Sequence, residues 1–126
     1  MFNSNPYNAY KQNTVKTASK EQLLLMLVDG AVKYTKIARL AIEKKDIPRA
    51  HKELVRVQDI FTELMVTLDR NAGQAYDDLF KVYEYIKSRL VQANMKKDVK
   101  IIDEVLPLIE NVRDTWYEVN KKAKGL

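Results

Sequence analysis

Apolar residues recur every three or four positions along four long stretches of this chain. That spacing places them on one face of an α-helix. The predicted helices span about residues 19–45, 46–68, 74–94 and 98–122. Ser19 and Gln22 have the spacing of a capping box before the first apolar run, and Asp46 and Asp98 are suited to cap the second and fourth helices.

Each predicted helix has one apolar stripe that can face a shared core. The spacing within the stripes is typical of helices packed nearly parallel or antiparallel. With short connections between the helices, it predicts an all-α fold, an antiparallel up-and-down four-helix bundle. The stripes consist of Leu23, Leu27, Tyr34, Ala38 and Ala41 on the first helix, Ala50, Leu54, Val57, Phe61, Leu64 and Leu68 on the second, Tyr76, Leu79, Tyr83, Ile86, Leu90 and Ala93 on the third, and Ile102, Val105, Ile109, Val112, Trp116 and Val119 on the fourth.

The first helix carries more apolar residues than one stripe requires. Leu25, Val28 and Val32 project from nearly the opposite side to its predicted core stripe. Val55 and Val66 likewise lie outside the stripe of the second helix. Apolar side chains grouped along helices favour a groove for another apolar segment, most simply an amphipathic helix.

Two residues interrupt the helical pattern. Gly30 lies inside the first helix, where glycine costs about 1 kcal/mol relative to alanine. Its presence there indicates that another side chain or backbone approaches closely. Pro107 lies inside the fourth helix, where it removes a backbone hydrogen bond and is expected to bend the helix.

The residues before Ser19 predict a short N-terminal cap helix. Pro6 follows Asn5 at the first position of that helix, and Tyr7 and Tyr10 would share one side of it. The segment is expected to cover the groove, either as a permanent cap or as a plug that a partner displaces. The predicted single domain, residues 1–126, therefore consists of a cap segment 1–18, a bundle 19–122 and a tail 123–126.

Composition narrows the location and the partners of the chain. There is no Cys, no uncharged apolar stretch long enough to cross a membrane, and no signal peptide pattern in residues 1–16. We therefore expect a cytoplasmic protein without membrane insertion. The net charge of +5 arises from the two chain ends rather than from a continuous basic face. That distribution argues against a nucleic-acid partner.

Two lysine-rich connections, residues 43–46 and 95–98, lie 52 positions apart. In an up-and-down bundle they meet at one end, which is expected to be electropositive. That end either docks an acidic partner or simply complements helix C-termini and aids solubility. Its basic residues are Lys44, Lys45, Arg49, Lys52, Lys96, Lys97 and Lys100.

The residue combinations that catalysis or metal binding would need are missing. His51 is the single histidine, and a lone histidine on the flank of a helix is more often a surface residue than a ligand. The adjacent pairs Asp77–Asp78 and Asp103–Glu104 point in different directions on a helix. The three glycines cannot form a phosphate-binding loop. We expect no catalytic residues, no metal site and no cofactor.

Residues 10–15 and 17–31 resemble the N-terminal signature of the flagellin-specific export chaperones, the FliS family. The resemblance continues through residues 50–51, 58–60, 63–64, 68–69, 83–85 and 96–98, so it covers nearly the whole chain. Two positions depart from the family pattern. Lys20 occupies a position that is commonly Pro, and Val28 occupies one that is frequently Tyr.

The resemblance implies a small antiparallel helical bundle in the bacterial cytoplasm. It implies that the chain binds the C-terminal region of flagellin, prevents premature polymerisation and keeps flagellin competent for flagellar type III secretion. Contact with the flagellar type III export machinery is implied as well. The candidate client-binding residues are Tyr7, Tyr10, Leu25, Val28, Val32, Val55 and Val66.

Two other functions remain open from the residues alone. The basic ends and lysine turns could bind nucleic acid, in which case binding falls steeply as salt rises. The outward apolar residues could instead mediate self-association of a structural module.

Overall fold

The computed structural model describes residues 19–125 as four long α-helices joined by short turns. The helices are α1 (Lys20–Glu43), α2 (Ile47–Thr67), α3 (Gln74–Lys96) and α4 (Val99–Ala123), with a short 3₁₀ turn at Arg70–Ala72. All four predicted helices are confirmed, with ends within about two residues of those expected. The predicted N-terminal cap helix, with Tyr7 and Tyr10, lies outside the described residues.

The helix starts follow from the capping residues. Ser19 Oγ accepts from the Gln22 amide at 3.1 Å, and Gln22 Oε1 accepts from the Ser19 amide at 2.9 Å. This reciprocal pair is the predicted capping box. Asp46 and Asp98 each accept a hydrogen bond from an amide in the first turn of the helix that follows. All three sequence-based caps are therefore confirmed.

The helices form an antiparallel ring in which α1 and α3 each pack between α2 and α4. Contacts between the start of one helix and the end of another show this direction. His51 Nδ1, near the start of α2, lies 3.0 Å from Asn94 Nδ2, near the end of α3. Tyr117, near the end of α4, donates to Asp29 at 2.5 Å. The predicted up-and-down four-helix bundle is confirmed.

The core uses most of the predicted stripe residues of α2, α3 and α4. The fully buried residues on these helices include large side chains such as Phe61, Tyr83 and Ile109. The exceptions lie near one end of the bundle, where Leu68, Tyr76, Leu79 and Trp116 are only partly buried. Val119, which was expected in the core, is 47% exposed. The core therefore thins toward the end at which α1 and α3 begin.

The prediction for the core face of α1 was right only in part: Ala38 and Ala41 are buried as expected, whereas Leu23, Leu27 and Tyr34 are only partly buried. Val28 and Val32, which were expected on a spare outer side, are only 1% and 4% exposed. The centre of the buried face also includes Thr35, whose hydroxyl donates to the Ala31 carbonyl at 2.7 Å. This local bond satisfies the hydroxyl, so Thr35 can be buried without a partner on another helix.

α1 packs against both α2 and α4. These contacts bury Val28, Ala31, Val32 and Thr35, which lie to one side of the predicted stripe, together with Ala38 and Ala41 within it. At Gly30, an added Cβ would lie 3.4 Å from the Ile60 side chain of α2 and 3.3 Å from Tyr34. The close approach predicted at this glycine is confirmed.

Both lysine-rich turns contain a lysine in the left-handed region. Lys45 has φ 61° and Lys97 has φ 50°. After α1, the Lys45 amide donates to the Ile42 carbonyl at 2.9 Å and the Asp46 amide donates to the Ala41 carbonyl at 2.8 Å. These are the two bonds of a Schellman motif, in which glycine is the usual residue at the position of Lys45. The turns at residues 45 and 97 therefore place lysine where glycine would be less strained.

Candidate functional site: an apolar cleft at one end of the bundle

The open part of the bundle lies where α1 and α3 begin and α2 and α4 end. Two neighbouring cavities at this end share Lys20, Leu24, Thr67, Asp69 and Trp116. We call these two cavities together the apolar cleft. It forms because the core stripes of four helices continue to this end with no described element lying across it.

The first cavity has a volume of about 420 Å³ and is lined mainly by leucines. They come from the first two turns of α1 and from the last turn of α2 and its C-cap. Tyr83 of α3 and Trp116 of α4 complete the wall. The apolar lining consists of Leu23, Leu24, Leu27, Leu64, Leu68, Tyr83 and Trp116.

The second cavity lies between the start of α1 and the end of α4 and has a volume of about 710 Å³. Leu24 and Leu25 line it from α1, and Trp116, Val119 and Ala123 line it from α4. Glu21 and Asn120 add polar groups at its edge. Leu24 and Trp116 therefore stand between the two cavities, and one apolar segment could contact both sides of this pair.

A hydrogen bond holds the aromatic residues of the cleft in place. Trp116 Nε1 donates to the Tyr83 hydroxyl at 2.7 Å. The Tyr83 ring meets Phe61 edge to face, with centroids 5.8 Å apart. Burial raises the pKa of the Tyr83 hydroxyl above its ordinary value, and the bond from Trp116 offsets part of that rise. The neutral hydroxyl thus fixes the indole ring as a preformed wall.

A shallow groove continues from the cleft along α1 and α2. It has a volume of about 460 Å³, and Leu27 lines both this groove and the first cavity. Val55 and Ile60 supply its other apolar residues, and charged residues of α2 border it. The apolar surface is therefore longer than one cavity, as binding of an extended or helical segment requires.

The predicted client-binding residues fall into four groups in the structure. Leu25 lines the second cavity and Val55 lines the groove. Val66 is 74% exposed but is not a lining residue of either cavity or of the groove. Val28 and Val32 are core residues and offer no surface. Tyr7 and Tyr10 lie outside the described part of the chain.

Sequence reasoning missed several cleft residues by assigning them to the core. Leu23, Leu27 and Trp116 were placed on core stripes, and Leu24 was given no role. Their position in the helices could have identified them, since these residues lie within about two turns of a helix end. A bulky apolar residue in a terminal turn has fewer neighbours to cover it than the same residue at mid-helix.

The described residues contain no group of acidic residues and histidine that could hold a metal ion. His51 is exposed and contacts Asn94, as expected for a surface histidine. Within residues 19–125, no helix is long and apolar enough to cross a membrane. The cleft offers apolar contact and aromatic walls, which suit the binding of another polypeptide segment.

Comparison with known proteins identifies the family. A sequence profile described as flagellar protein FliS matches residues 3–123. The chain is 41% identical to the flagellar secretion chaperone FliS of Bacillus subtilis (strain 168), with 90% of this chain and 85% of that protein covered. It is 33% identical to the flagellar secretion chaperone FliS of Salmonella typhimurium, with 98% and 96% covered.

A solved structure supports the fold. The crystal structure of a flagellar chaperone from bacteria is similar with a TM-score of 0.74 at 18% identity, covering 92% of this chain and 95% of that one. The relatives are named as chaperones, which agrees with the expectation that the chain is not an enzyme. The chain belongs to the FliS family of flagellar secretion chaperones.

Proposed function

We propose that this chain binds the C-terminal region of flagellin in the apolar cleft. Binding would prevent premature polymerisation in the bacterial cytoplasm and keep flagellin competent for flagellar type III secretion. The observation that supports this most directly is the cleft itself, a preformed apolar surface at the open end of the bundle. Most leucines of the cleft are only partly buried by the described residues, so a partner segment that covers them gains apolar burial.

The shape of the cleft favours a helical client segment. An amphipathic helix places apolar side chains at spacings of three and four, so successive residues can enter the cavities on either side of Leu24 and Trp116. The groove beyond Leu27 would extend the contact along α1 and α2. Ordering a disordered segment opposes part of the gain from apolar burial, which leaves the complex reversible.

Reversibility matters for the second part of the proposal, contact with the flagellar type III export machinery. A chaperone for export must release its client so that the client can be secreted. A complex held by apolar burial can do so when the client segment is drawn away. In this proposal the cleft therefore holds the client by apolar contact alone.

Calorimetric titration with a peptide from the flagellin C-terminus tests the proposal. Leu24→Asp places a charge against Trp116 in the wall shared by both cavities. We expect it to weaken binding at least about 30-fold, because an unpaired charge in an apolar contact costs about 2 kcal/mol or more. Met95→Asp is the matched control, since Met95 is 74% exposed near the end of α3, at the other end of the bundle.

The control variant is expected to bind like the wild type. Absence of peptide binding by the wild type would contradict the proposed client, while equal affinity of the Leu24→Asp variant would contradict the site. Affinity that falls steeply with added salt would instead favour a polyanion such as nucleic acid. Val32→Asp is unsuitable as a test because Val32 lies in the core and its loss would unfold the bundle.

A further inference from the structure

The end of the bundle opposite the cleft carries a group of lysines without acidic partners. We call it the lysine end, defined by Lys44, Lys45, Lys96, Lys97 and Lys100 in and beside the α1–α2 and α3–α4 turns. The contact between His51 and Asn94 shows that α2 begins where α3 ends, so both turns lie at this end. None of these lysines forms an ion pair with a described residue.

The carboxylates at the same end are already engaged. Arg39 binds Asp103 at 2.6 Å and Glu43 at 3.0 Å. Asp46 and Asp98 accept hydrogen bonds from amides at the starts of α2 and α4. Glu53 is buried and faces two arginines of its own helix. The arginines neutralise Glu43, Glu53 and Asp103, whereas Asp46 and Asp98 keep their charge and are stabilised by helix amides. Lys97 is half-buried and donates to the Asn94 carbonyl, while Lys44, Lys45, Lys96 and Lys100 are exposed.

Exposed apolar side chains lie among these lysines. Leu40 is 49% exposed in the last turn of α1, Ile47 is 45% exposed at the start of α2, and Met95 is 74% exposed near the end of α3. They contribute little to the core and belong to three different helices. The lysine end thus combines lysines that form no ion pair with a described residue and exposed apolar side chains.

We propose that the lysine end is a peripheral contact for an anionic membrane surface. Lysines near such a surface are attracted to its headgroups, and apolar side chains gain further by entering the interfacial layer. The contact needs no spanning helix. It leaves the cleft at the opposite end facing away from the membrane, so client binding and membrane contact can occur together.

Three features favour a membrane over an acidic protein or a nucleic acid. A nucleic-acid backbone offers no apolar layer for Leu40, Ile47 and Met95, and an acidic protein would need apolar side chains placed opposite each of these three. The five residues that define this end are lysines. A lysine is a mobile point charge and suits a diffuse anionic surface, whereas an arginine binds anions in a fixed geometry. Finally, the two cavities and most of the groove's lining residues belong to other parts of the bundle, and the lysine end presents protruding turns rather than a pocket.

The test is sedimentation of the full chain with vesicles of phosphatidylcholine alone or of equal parts phosphatidylcholine and phosphatidylglycerol. We expect binding only to the anionic vesicles, decreasing as salt is added. Combined Lys44→Gln, Lys96→Gln and Lys100→Gln is expected to lower the partition coefficient on the order of 100-fold. The control removes equal charge elsewhere, by Lys81→Gln, Lys121→Gln and Lys122→Gln, and is expected to change it less than about threefold if binding is local.

A second variant separates the apolar contribution from charge. Met95→Ser is expected to weaken vesicle binding severalfold, whereas Val82→Ser, at an exposed position of α3 farther from the turns, leaves it unchanged. No binding to anionic vesicles, or equal losses in the two lysine triples, would overturn the proposal. Binding to polyglutamate as strong as to vesicles, with no effect of Met95→Ser, would assign the surface to an acidic protein instead.

The experiment is independent of client binding. The three substitutions at the lysine end lie away from the cleft, so the triple variant is expected to keep wild-type affinity for a flagellin peptide. Absence of peptide binding would not affect the conclusion about vesicle binding. Absence of vesicle binding would likewise not affect the proposal about the client.

Discussion

Trp116 and Tyr83 show how two hydrogen-bonded aromatic residues prepare a surface for binding. The 2.7 Å bond between the indole and the phenol ties α4 to α3 at the floor of the cleft. Leu24 can contact the indole because that bond holds the ring in one orientation. The wall shared by the two cavities is thus rigid before any partner arrives, which lowers the ordering cost on binding.

The raised pKa of Tyr83 predicts a loss of stability in alkali. The ordinary pKa is 10.0, and burial raises it in the folded state. Above about pH 10 the unfolded chain therefore loses this proton more readily than the folded chain, so the free energy of unfolding falls as pH rises. Below that pH both states keep the proton and the contribution does not change with pH.

Denaturant unfolding of Tyr83→Phe at several alkaline pH values measures this contribution. We expect the free energy of unfolding to fall less steeply above about pH 10 in the variant than in the wild type. Tyr85→Phe, which alters a tyrosine 54% exposed on the same helix, is expected to keep the wild-type slope. Equal slopes for all three proteins would show that the Tyr83 proton is not linked to unfolding.

The positions at which the helices begin can be traced to individual capping residues. The capping box and the two aspartate caps set where α1, α2 and α4 begin. At the α1–α2 turn, however, Lys45 adopts a left-handed conformation that costs a non-glycine residue about 1–2 kcal/mol. The connection is short enough that the backbone must reverse there whatever residue is present.

Lys45→Gly is therefore expected to stabilise the bundle. The free energy gained by relieving the left-handed strain exceeds the free-energy cost of a more flexible unfolded chain. We therefore expect the free energy of unfolding to rise by about 0.5–1 kcal/mol. Urea denaturation measures the change. Lys44→Gly is the matched control, because Lys44 has φ −85° and a glycine there brings flexibility without relief. Stabilisation by the control, or destabilisation by Lys45→Gly, would contradict this account.

The bundle as a whole has two different ends. The end at which α1 and α3 begin is apolar and open, while the opposite end is basic and closed by two tight turns. An antiparallel arrangement produces this polarity because it brings alternate connections together. The separation keeps the lysine end away from the apolar cleft, where Lys20, Glu21 and Asp69 are the charged lining residues.

Hydrogen exchange on a chain lacking residues 1–15 tests whether the N-terminal segment covers the cleft. We expect amides in the first two turns of α1 to exchange faster after the deletion, because Leu23, Leu24 and Leu27 would lose a cover. Amides from Ala38 to Glu43, at the far end of the same helix, serve as the internal control. Unchanged exchange at the start of α1 would show that the segment does not protect it.

Regular local patterns made most of the architecture predictable. Periodic apolar positions and capping residues depend on neighbours within a few positions along the chain, so helix bounds and three of the four core faces could be worked out from residues such as Phe61, Leu90 and Val105. The resemblance of residues 10–31 to the FliS signature likewise depended on sequence alone, and the family comparison confirms it.

Tertiary packing decided the rest. Whether Val28 is surface or core depends on the two helices that flank α1, and no spacing within α1 reveals how wide an arc they cover. In the same way, Leu24 and Trp116 become cleft residues only because four helices end together without a described element across them. The sequence of a helix shows that it has an apolar face. Whether a residue on that face is buried depends on which elements pack against it.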